Sequence, residues 1–581
     1  MKNILLLLSL ALILSSCEDY LDKIQDSAGM TDEEVFTDYL NFRRFNDRIY
    51  RDLHNYLNDW DFAYISAMSE EGYLGPGWET MPTVQQGDWL RAYNVGQSLQ
   101  FYGVWNSWRS IRQANISINN IHMLEGNATQ QQIDEIKGQA HFMRAWYYYE
   151  FLKRQGGMPY IIEVFESTDN FALPRLSHYE TALKIVADCD TAASLLPQRW
   201  SSEHIGRPEI GSAMALKAAA LLETASPSNN PGNDMDRWEA AAQAAWDVIQ
   251  YAGSTGRYEL LQSNGTDQVT YMTPSGVETI TYPSGFDSIF LYLPYHDEVL
   301  WEHYPSVGAG GKWRVYSTPS MAVGWSELQG FSPSANIVDR FETANGLAIE
   351  DDPDHETQNP YVNRDPRFYH SILFNQQRWG SETGKYLELW AGGEERQTAE
   401  FFSRSGYLAR KYWAPGIDDQ SGTSPPLTRT IFFRLAEMYL MYAEAANEIG
   451  GPNHTISGAN LSAVDAVNVV RERVGMPPVH SNYLSSKEAF RDRIKNERAV
   501  EFFLEGKRLF DLMRWGDAHR MEHRALYARN YEEDPGSPTG FSISRSDSPF
   551  VTYTFDQRQY RWPIPLTDAL MFEEFEQNPG W

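Results

Sequence analysis

Apolar residues recur at helical spacing through the first 250 residues of the chain and again through its last third. Between Ile431 and Ile449, an apolar residue occurs every three or four positions, which places these residues on one face of a helix. Thr31 followed by Glu34 has the spacing of a capping box at a helix start. The pattern predicts helices over 31–57, 101–124, 131–157, 177–196, 209–226, 236–251, 431–449, 459–474 and 486–515, the last with a break near Gly506.

These helices fall into pairs with Ala and Gly at the contact positions, as in tetratricopeptide hairpins, although the repeat length of about 34 residues is not kept. Over 255–428, Gly, Pro, Ser, Thr and aromatic residues replace the helical pattern, and only short strands are expected, for example over 297–302. Such a long irregular stretch is usually a functional surface. The expected fold is mainly α: a single domain over 31–581, whose helical scaffold (31–254 and 429–581) carries this loop-rich insert.

The N-terminus has the pattern of a bacterial secretory leader. Its apolar run, 4–14, is shorter than the roughly 20 residues that a membrane-spanning helix needs. The run ends in Leu-Ser-Ser-Cys17, a lipobox in which the cysteine is acylated. We expect 1–16 to be a signal peptide and 17–30 to be a lipid-anchored tether. An ordinary leader that happens to contain a cysteine is the alternative.

Charge and cysteine content exclude several classes of protein. The chain has 49 Lys and Arg against 78 Asp and Glu, a formal net charge of −29, so a nucleic-acid partner is not expected. Apart from Cys17 the only cysteine is Cys189, which leaves no disulfide and no zinc-thiolate site. Cys189 lies in an apolar-periodic segment and is expected to be a small buried side chain.

Sequence motifs of catalysis are missing. The chain contains no His-Glu-x-x-His, no Walker A loop, no Gly-x-Ser-x-Gly elbow and no Rossmann glycine pattern. The acidic segments 233–236 and 351–356 lack the glycine and the final glutamate of an EF-hand loop, which favours solvated turns. We expect no enzyme activity, no metal site and no cofactor. With 78 acidic residues in the chain, a pair of carboxylates placed as in a glycosidase is an alternative that the sequence does not exclude.

Three charged residues share one predicted helix face in the C-terminal part. Glu497, Glu501 and Arg508 are spaced by four and seven positions among apolar neighbours. Buried charges persist only when they are paired, so this pattern predicts an internal ion-pair network. A catalytic pair of carboxylic acids is the alternative.

Several segments carry a resemblance to a known family. The sequence ERAVEFFLEGKRLFDLMRWGDA (497–518) resembles the C-terminal signature of the SusD/RagB family, nutrient-binding outer-membrane lipoproteins of Bacteroidetes. The helix with Arg-Ala-aromatic and Gly-x-Pro elements (140–161), the segment NRDPRF (363–368) and the closing Pro-Ile-Pro and Gln-Asn-Pro-Gly elements (561–581) agree with it. The resemblance implies a tetratricopeptide-like scaffold, a loop-rich ligand face and a SusC-like TonB-dependent transporter, over which the lipoprotein sits as a hinged lid on the outer surface of the cell.

Aromatic residues in loops indicate the ligand. A flat indole matches the apolar face of a pyranose ring at a small entropic cost. Such side chains occur within YLGPGWETMPTVQQGDWL (73–90) and again in the insert, the two regions from which ligand-contacting aromatics come in the resembled family. The candidate ligand-binding residues are Tyr73, Trp78, Asp88, Trp89, Trp313, Tyr316 and Trp325, followed by Trp379 and Trp390; packing against the core is the alternative for each tryptophan. The tryptophans expected in the core are Trp105, Trp108, Trp146, Trp238, Trp246 and Trp515.

The sequence therefore predicts a non-catalytic lipoprotein that captures oligosaccharide by aromatic stacking and delivers it to a TonB-dependent transporter, held in the outer membrane through acylated Cys17. Capture of oligopeptides is the alternative within the family. A glycoside hydrolase and a purely structural subunit of the barrel are the alternatives from other classes.

Overall fold

A stack of long helices makes up most of the structure. The computed structural model describes residues 30–53, 65–74, 80–94, 103–166, 172–291, 297–303, 331–379, 385–396, 403–412, 430–571 and 574–581. The α-helices are α1 Asp32–Phe36, α2 Tyr39–Asn46, α3 Thr80–Gln85, α4 Trp89–Asn94, α5 Ser107–Asn120, α6 Gln130–Arg154, α7 His178–Leu195, α8 Ile210–Ala225, α9 Met235–Thr255, α10 Ser288–Leu291, α11 Ala335–Val338, α12 Pro366–Ser371, α13 Leu435–Gly450, α14 Ala463–Glu472, α15 Lys487–Glu501, α16 Arg508–Trp515 and α17 Leu566–Ala569.

Short strands form two-stranded antiparallel sheets. The strands are β1 Gly72–Leu74, β2 Thr266–Thr273, β3 Gly276–Pro283, β4 Val299–His303, β5 Phe331–Pro333, β6 Ile372–Leu373, β7 Arg378–Trp379, β8 Lys385–Tyr386, β9 Leu408–Ala409, β10 Thr430–Arg434, β11 Ala525–Leu526, β12 Arg529–Glu533, β13 Phe541–Arg545 and β14 Val551–Thr552. In the part of the chain that the structure describes they pair as β1–β5, β2–β3, β4–β10, β6–β9, β7–β8, β11–β14 and β12–β13.

The helices pack mostly in chain order. Each of α5 to α8 packs against the next helix, α9 packs against α13, and α13 contacts both α14 and α15. Because α9 ends at Thr255 and α13 begins at Leu435, the insert leaves and re-enters the stack at neighbouring helices. The predicted mainly α scaffold with an inserted loop-rich segment is confirmed.

Two of the predicted helices are broken in the structure. The capping box of Thr31 and Glu34 is present, but the helix ends at Phe36, because the Asp38 side chain accepts a hydrogen bond from Asn41 N (2.9 Å) and starts a new helix. The predicted helix 486–515 stops at Glu501 and resumes at Arg508.

Left-handed backbone causes the second break. Leu504 (φ 59°) and Gly506 (φ 68°) lie between α15 and α16, and neither conformation continues a right-handed helix. Arg508 therefore lies on a different helix from Glu497 and Glu501, so the prediction of one shared face is wrong for Arg508.

The insert contains more regular structure than its composition indicates. The predicted strand over 297–302 is confirmed as β4, which pairs with β10. The hairpin of β2 and β3, two strands of eight residues each, lies in a stretch expected to be mostly loop. In β2 every second residue, Val269, Tyr271 and Thr273, is buried, which is the alternation of a half-buried strand.

One large buried cluster of apolar side chains joins scaffold and insert, extending from Ile49 to Phe575. Trp146, Trp238, Trp246 and Trp515 are buried in it and Trp105 and Trp108 pack against it, which confirms the predicted core tryptophans. The single domain stays a prediction that this shared core supports. None of the helices in the described ranges combines the length and apolarity needed to cross a membrane.

Candidate functional site

The two regions predicted to contact ligand meet at one small sheet. Strand β1 pairs antiparallel with β5, and Leu74 lies opposite Phe331. Leu74 is the last described residue before 75–79, which contains Trp78, and Phe331 is the first described residue after 304–330, which contains Trp313, Tyr316 and Trp325. Those four candidates lie outside the described residues, as does Cys17. The ends of both regions are neighbours although they are about 250 positions apart in the sequence.

A glycine allows this close pairing. A methyl group on Gly72 would lie 2.5 Å from the carbonyl oxygen of Ser332 and 2.5 Å from the ring of Phe331. A backbone oxygen in a paired strand cannot retreat without opening the sheet. The hydroxyl of Tyr553 donates to the carbonyl oxygen of Gly72 (2.9 Å) and holds β1 from the other side.

Two buried glutamates anchor the start of β1 to the C-terminal signature. Glu70 accepts a hydrogen bond from Arg508 Nε (2.9 Å) and lies 3.1 Å from Nδ1 of His523. Burial would raise the pKa of Glu70, but Arg508 and the contact with His523 hold it well below the usual value. Glu71 accepts a hydrogen bond from the backbone N–H of Leu504 (3.0 Å), the residue in left-handed conformation. The signature therefore positions the base of the predicted ligand loop.

Replacing Glu71 with glutamine is expected to stabilise the fold in neutral and alkaline solution. Burial raises the pKa of Glu71 to about 7 in the folded chain, whereas an unfolded chain titrates this carboxyl near about 4.3. The folded state thus keeps a proton that the unfolded state loses, and the stability contributed by Glu71 falls as the pH rises through this window. The shift corresponds to roughly 4 kcal/mol. The amide is a weaker acceptor for the Leu504 N–H, which offsets part of this, so we expect a net gain of about 1–2 kcal/mol above pH 7.

Thermal unfolding of the Glu71→Gln variant and the parent protein at pH 5 and pH 8 measures this effect. The difference in Tm should be small at pH 5 and clear at pH 8. Glu533→Gln, which changes an exposed carboxylate on β12, should show no such difference. A Glu71→Gln variant that is less stable at both pH values would contradict the expectation.

Arg404 is an exposed cation at the β1–β5 sheet that the sequence analysis did not single out. Its backbone N–H donates to the Ser332 hydroxyl (3.3 Å), and its guanidinium lies over the ring of Tyr73 (5.2 Å to the ring centroid). The same guanidinium is 3.5 Å from the Tyr73 hydroxyl. Tyr73 therefore holds the guanidinium in place, although Arg404 as a residue stays exposed. No local sequence pattern marks this residue.

Tyr73 itself does not offer a free ring. It is 6 % exposed, with one contact to Arg404 and an edge-to-face contact to Phe550 (5.9 Å). The prediction that Tyr73 contacts ligand is therefore corrected: the tyrosine positions Arg404.

Trp89 is part of the core. Its side chain is 1 % exposed and its indole N–H donates to the carbonyl oxygen of Val84 (3.0 Å). The ring packs against Phe555, Trp562 and Trp581 at centroid distances of 5.8, 5.4 and 6.1 Å. With no exposed ring face it cannot stack on a sugar, so the prediction of Trp89 as a ligand platform is wrong. Trp89, the first residue of α4, instead packs into the core.

The remaining described candidates divide by exposure. Asp88 is exposed, and one of its carboxylate oxygens accepts a hydrogen bond from Arg91 N (3.2 Å) at the start of α4, so its ligand role stays a prediction. Trp379 is buried (4 % exposed), which contradicts a platform role. Trp390 is partly exposed, and its ring is stacked on Phe541 (5.2 Å).

The buried ion-pair network contains more residues than the sequence pattern indicated. Six carboxylates and six cations, all buried, form one connected set of ion pairs in the described ranges. They are Glu298, Glu342, Asp365, Glu497, Glu501, Glu505, Arg367, Lys411, Arg434, Arg471, Arg473 and Arg493. Because Glu497 and Glu501 are both held by arginines, neither is free to act as a catalytic acid. The network joins α12, α14, α15, β10 and the residue preceding β4.

Other sequence features have structural explanations. Asp234, in one acidic segment, caps the start of α9 through Asp236 N (3.1 Å). Asp352, in the other, accepts hydrogen bonds from Asp354 N (2.9 Å) and Asn345 Nδ2 (3.0 Å), which closes a turn. Cys189 is buried, as predicted, and burial raises the pKa of its thiol.

An open cleft of about 880 Å³ lies between the segment 336–364, α15 and β13. Several of its charged residues pair with one another or with buried groups, for example Arg529 with Asp339. The aromatic residue lining it is Tyr483, whose hydroxyl donates to Asp351 (2.8 Å). The guanidinium of Arg493 lies over the ring of Tyr483 (4.7 Å to the centroid), so the described residues of the cleft offer no open aromatic platform for a sugar.

Comparisons with known proteins agree with this architecture. A family model described as the SusD family matches residues 297–581, and one described as starch-binding associating with outer membrane matches 19–221. SusD-like protein P38 of Formosa agariphila is 23% identical over 537 residues, which cover 89% of this chain and 92% of that protein.

Two solved structures from Bacteroides fragilis share the fold. The crystal structure of a SusD-like protein aligns with a TM-score of 0.71 at 21% identity and covers 95% of this chain and 99% of that one. That of a SusD-like carbohydrate binding protein aligns with a TM-score of 0.66 at 17% identity and covers 93% of this chain and 100% of that one. Since the two family models match 19–221 and 297–581, which together make up most of the chain, the chain belongs to the SusD/RagB family.

Proposed function

We propose that this protein is a non-catalytic, lipid-anchored receptor of the outer cell surface that binds oligosaccharide and passes it to a TonB-dependent transporter. Acylation of Cys17 holds it in the outer membrane. The ligand stacks on tryptophans presented from 75–79 and 304–330.

The observation that carries the proposal is the pairing of Leu74 with Phe331. Trp78 is four residues beyond Leu74 and Trp325 is six residues before Phe331. A chain spans at most about 3.5 Å per residue, so Trp78 lies within roughly 14 Å of Leu74 and Trp325 within roughly 21 Å of Phe331. Two regions that the sequence separates are thus tethered to one place, as a shared sugar platform requires.

Arg404 supplies the polar half of such a site. Sugars present hydroxyl groups around the ring edge, and these require hydrogen-bond donors next to the stacking surface. Arg404 is exposed and is held at the same sheet by Ser332 and Tyr73. Two of the comparisons support saccharide as the ligand class. One matching family model is described as starch-binding, and one solved structure with this fold is that of a SusD-like carbohydrate binding protein.

Calorimetry against a panel of starch, fructan, xylan, mannan, host-glycan and peptide ligands tests the proposal. We expect one saccharide to bind without being cleaved. Replacing Trp78 or Trp313 with alanine should weaken that binding by about tenfold or more, equal to about 1.4 kcal/mol, because a stacking surface is lost. Arg404→Gln should also weaken it.

Tyr179→Ala is the control for affinity, because it removes a partly exposed aromatic ring of α7 that contacts Arg237 of α9 (4.1 Å to the ring centroid) and should leave the affinity nearly unchanged. Saccharide affinity unaffected by all three site variants would refute the assigned site. Release of reducing ends from the ligand would indicate a hydrolase, and binding of peptide alone would indicate the other class of nutrient.

A further inference from the structure

Two carboxylates and a histidine of the insert converge at one point. Asp267 belongs to β2, Asp287 lies in the turn between β3 and α10, and His370 belongs to α12. One potential ligand atom from each residue lies within 4.8 Å of the other two.

The orientation of His370 is fixed. Its Nε2 lies 2.9 Å from the carbonyl oxygen of Pro283, an acceptor, so Nε2 carries the proton. The ring packs edge to face on Tyr282 (4.9 Å) and against Phe286 (5.9 Å). Histidines that bind metal typically donate their second ring N–H to a carbonyl or carboxylate in this way.

The other ring nitrogen lies next to Asp287. Nδ1 of His370 is buried and has no hydrogen-bond partner of acceptable geometry, and its residue is 1 % exposed. Oδ2 of Asp287 lies 3.5 Å from it. With the Nε2 proton directed at Pro283, Nδ1 of a neutral imidazole has a lone pair, which a cation placed between it and the carboxylate would accept.

We propose that Asp267, Asp287 and His370 bind a divalent transition-metal ion, Zn²⁺. The set combines one imidazole nitrogen with two carboxylate oxygens, donors that zinc accepts together at bond lengths of about 2 Å. Ligand atoms around one tetrahedral zinc lie about 3.3 Å apart, which small side-chain rotations from the observed separations achieve. Asp267 is partly exposed and leaves a path for the ion and for a water molecule as fourth ligand.

A neighbouring cation lies beside the same carboxylate. Nη2 of Arg410 lies 3.6 Å from Oδ2 of Asp287, the oxygen that is also next to His370. Its Nη1 donates to the hydroxyl of Tyr282 (2.8 Å), which fixes the position of the guanidinium. The bound ion ties the β2–β3 hairpin to α12. No local sequence motif reveals this set of ligands, because Asp267, Asp287 and His370 are spread over about 100 positions.

Zinc uptake by the tag-free protein at pH 8 tests the proposal. After removal of metals with a chelator, ZnCl₂ should bind at one equivalent by calorimetry and raise the Tm. Asp267→Asn and His370→Gln should each weaken this binding by at least about tenfold. Since Asp267 is partly exposed, its variant separates loss of a ligand from loss of the fold. His122→Gln, which changes an exposed histidine on the scaffold, should bind zinc like the parent.

Three outcomes would overturn the proposal. No zinc uptake would mean that His370 is held as an imidazolium ion paired with Asp287. Uptake that both site variants retain would place the ion elsewhere. Binding of Ca²⁺ in preference to Zn²⁺, lost in Asp267→Asn and kept in His370→Gln, would indicate an oxygen-only site. None of these results depends on the proposed saccharide site.

Discussion

Replacing Glu501 with glutamine is expected to destabilise the protein by about 3–5 kcal/mol, because it removes one charge from a buried set of ion pairs. The Glu501 carboxylate accepts hydrogen bonds from Arg473, Arg434 (2.5 Å) and Arg367 (2.7 Å). Burial would raise its pKa, but the guanidiniums of Arg473, Arg434 and Arg367 outweigh burial and hold the pKa below the usual value. An amide of the same shape leaves three buried cations short of a partner.

Thermal and urea unfolding of the variant measure the loss. Glu488→Gln is the matched control, since it makes the same change on the same helix at a side chain that is 69% exposed, where an ion pair contributes about 0–1 kcal/mol. A Glu501→Gln variant within about 1 kcal/mol of the parent would mean that the network relaxes around the missing charge.

The pH dependence of the same variant gives an independent check. A carboxylate whose pKa is lowered in the folded state contributes stability above its unfolded pKa, and this contribution is lost as the pH falls. The parent should therefore lose more stability between pH 6 and pH 3 than Glu501→Gln. Equal acid sensitivity of the two proteins would argue against Glu501 as the ionised centre of the network.

The helical scaffold was predictable because the residues that determine a helix lie within the helix itself. Caps such as Thr31 with Glu34 and apolar residues at helical spacing mark their own elements, and α6 to α9 lie close to the predicted ranges. Breaks were less visible: Asp38 starts a new helix from within a continuous helical pattern, and Leu504 adopts a left-handed conformation that no sequence rule assigns to leucine.

The site was predictable only in part because its contacts are not local. Sequence reasoning found the two aromatic regions, but the pairing of Leu74 with Phe331 that joins them follows from the tertiary fold. Composition marks Trp89 and Trp78 alike, since both are indoles among turn-forming residues. Whether another part of the chain covers such a ring depends on the tertiary fold, and for Trp89 the covering residues lie more than 460 positions away.

Replacing Trp89 with alanine is therefore expected to cost stability and not ligand contacts. The side chain is 1 % exposed and packs against Phe555, Trp562 and Trp581, so its removal leaves a cavity in the core. Truncation of a buried tryptophan of this kind costs about 3–5 kcal/mol. The Tm of Trp89→Ala should fall well below that of Trp78→Ala. Trp89→Phe, which keeps an aromatic ring in the same place, should fall between the parent and Trp89→Ala.

Saccharide affinity separates the two roles that a loop tryptophan can have. At a temperature where Trp89→Phe is folded, its affinity should match the parent, because the ring it replaces has no face open to ligand. Trp78→Ala should show the reverse combination, weak binding with a nearly unchanged Tm. If Trp89→Phe kept its Tm and lost affinity by tenfold, the ring would have to leave the core to meet the sugar. In the parent protein, moving the Trp89 ring out of the core would break the hydrogen bond from its indole N–H to Val84. Part of the binding free energy would then be spent on this rearrangement.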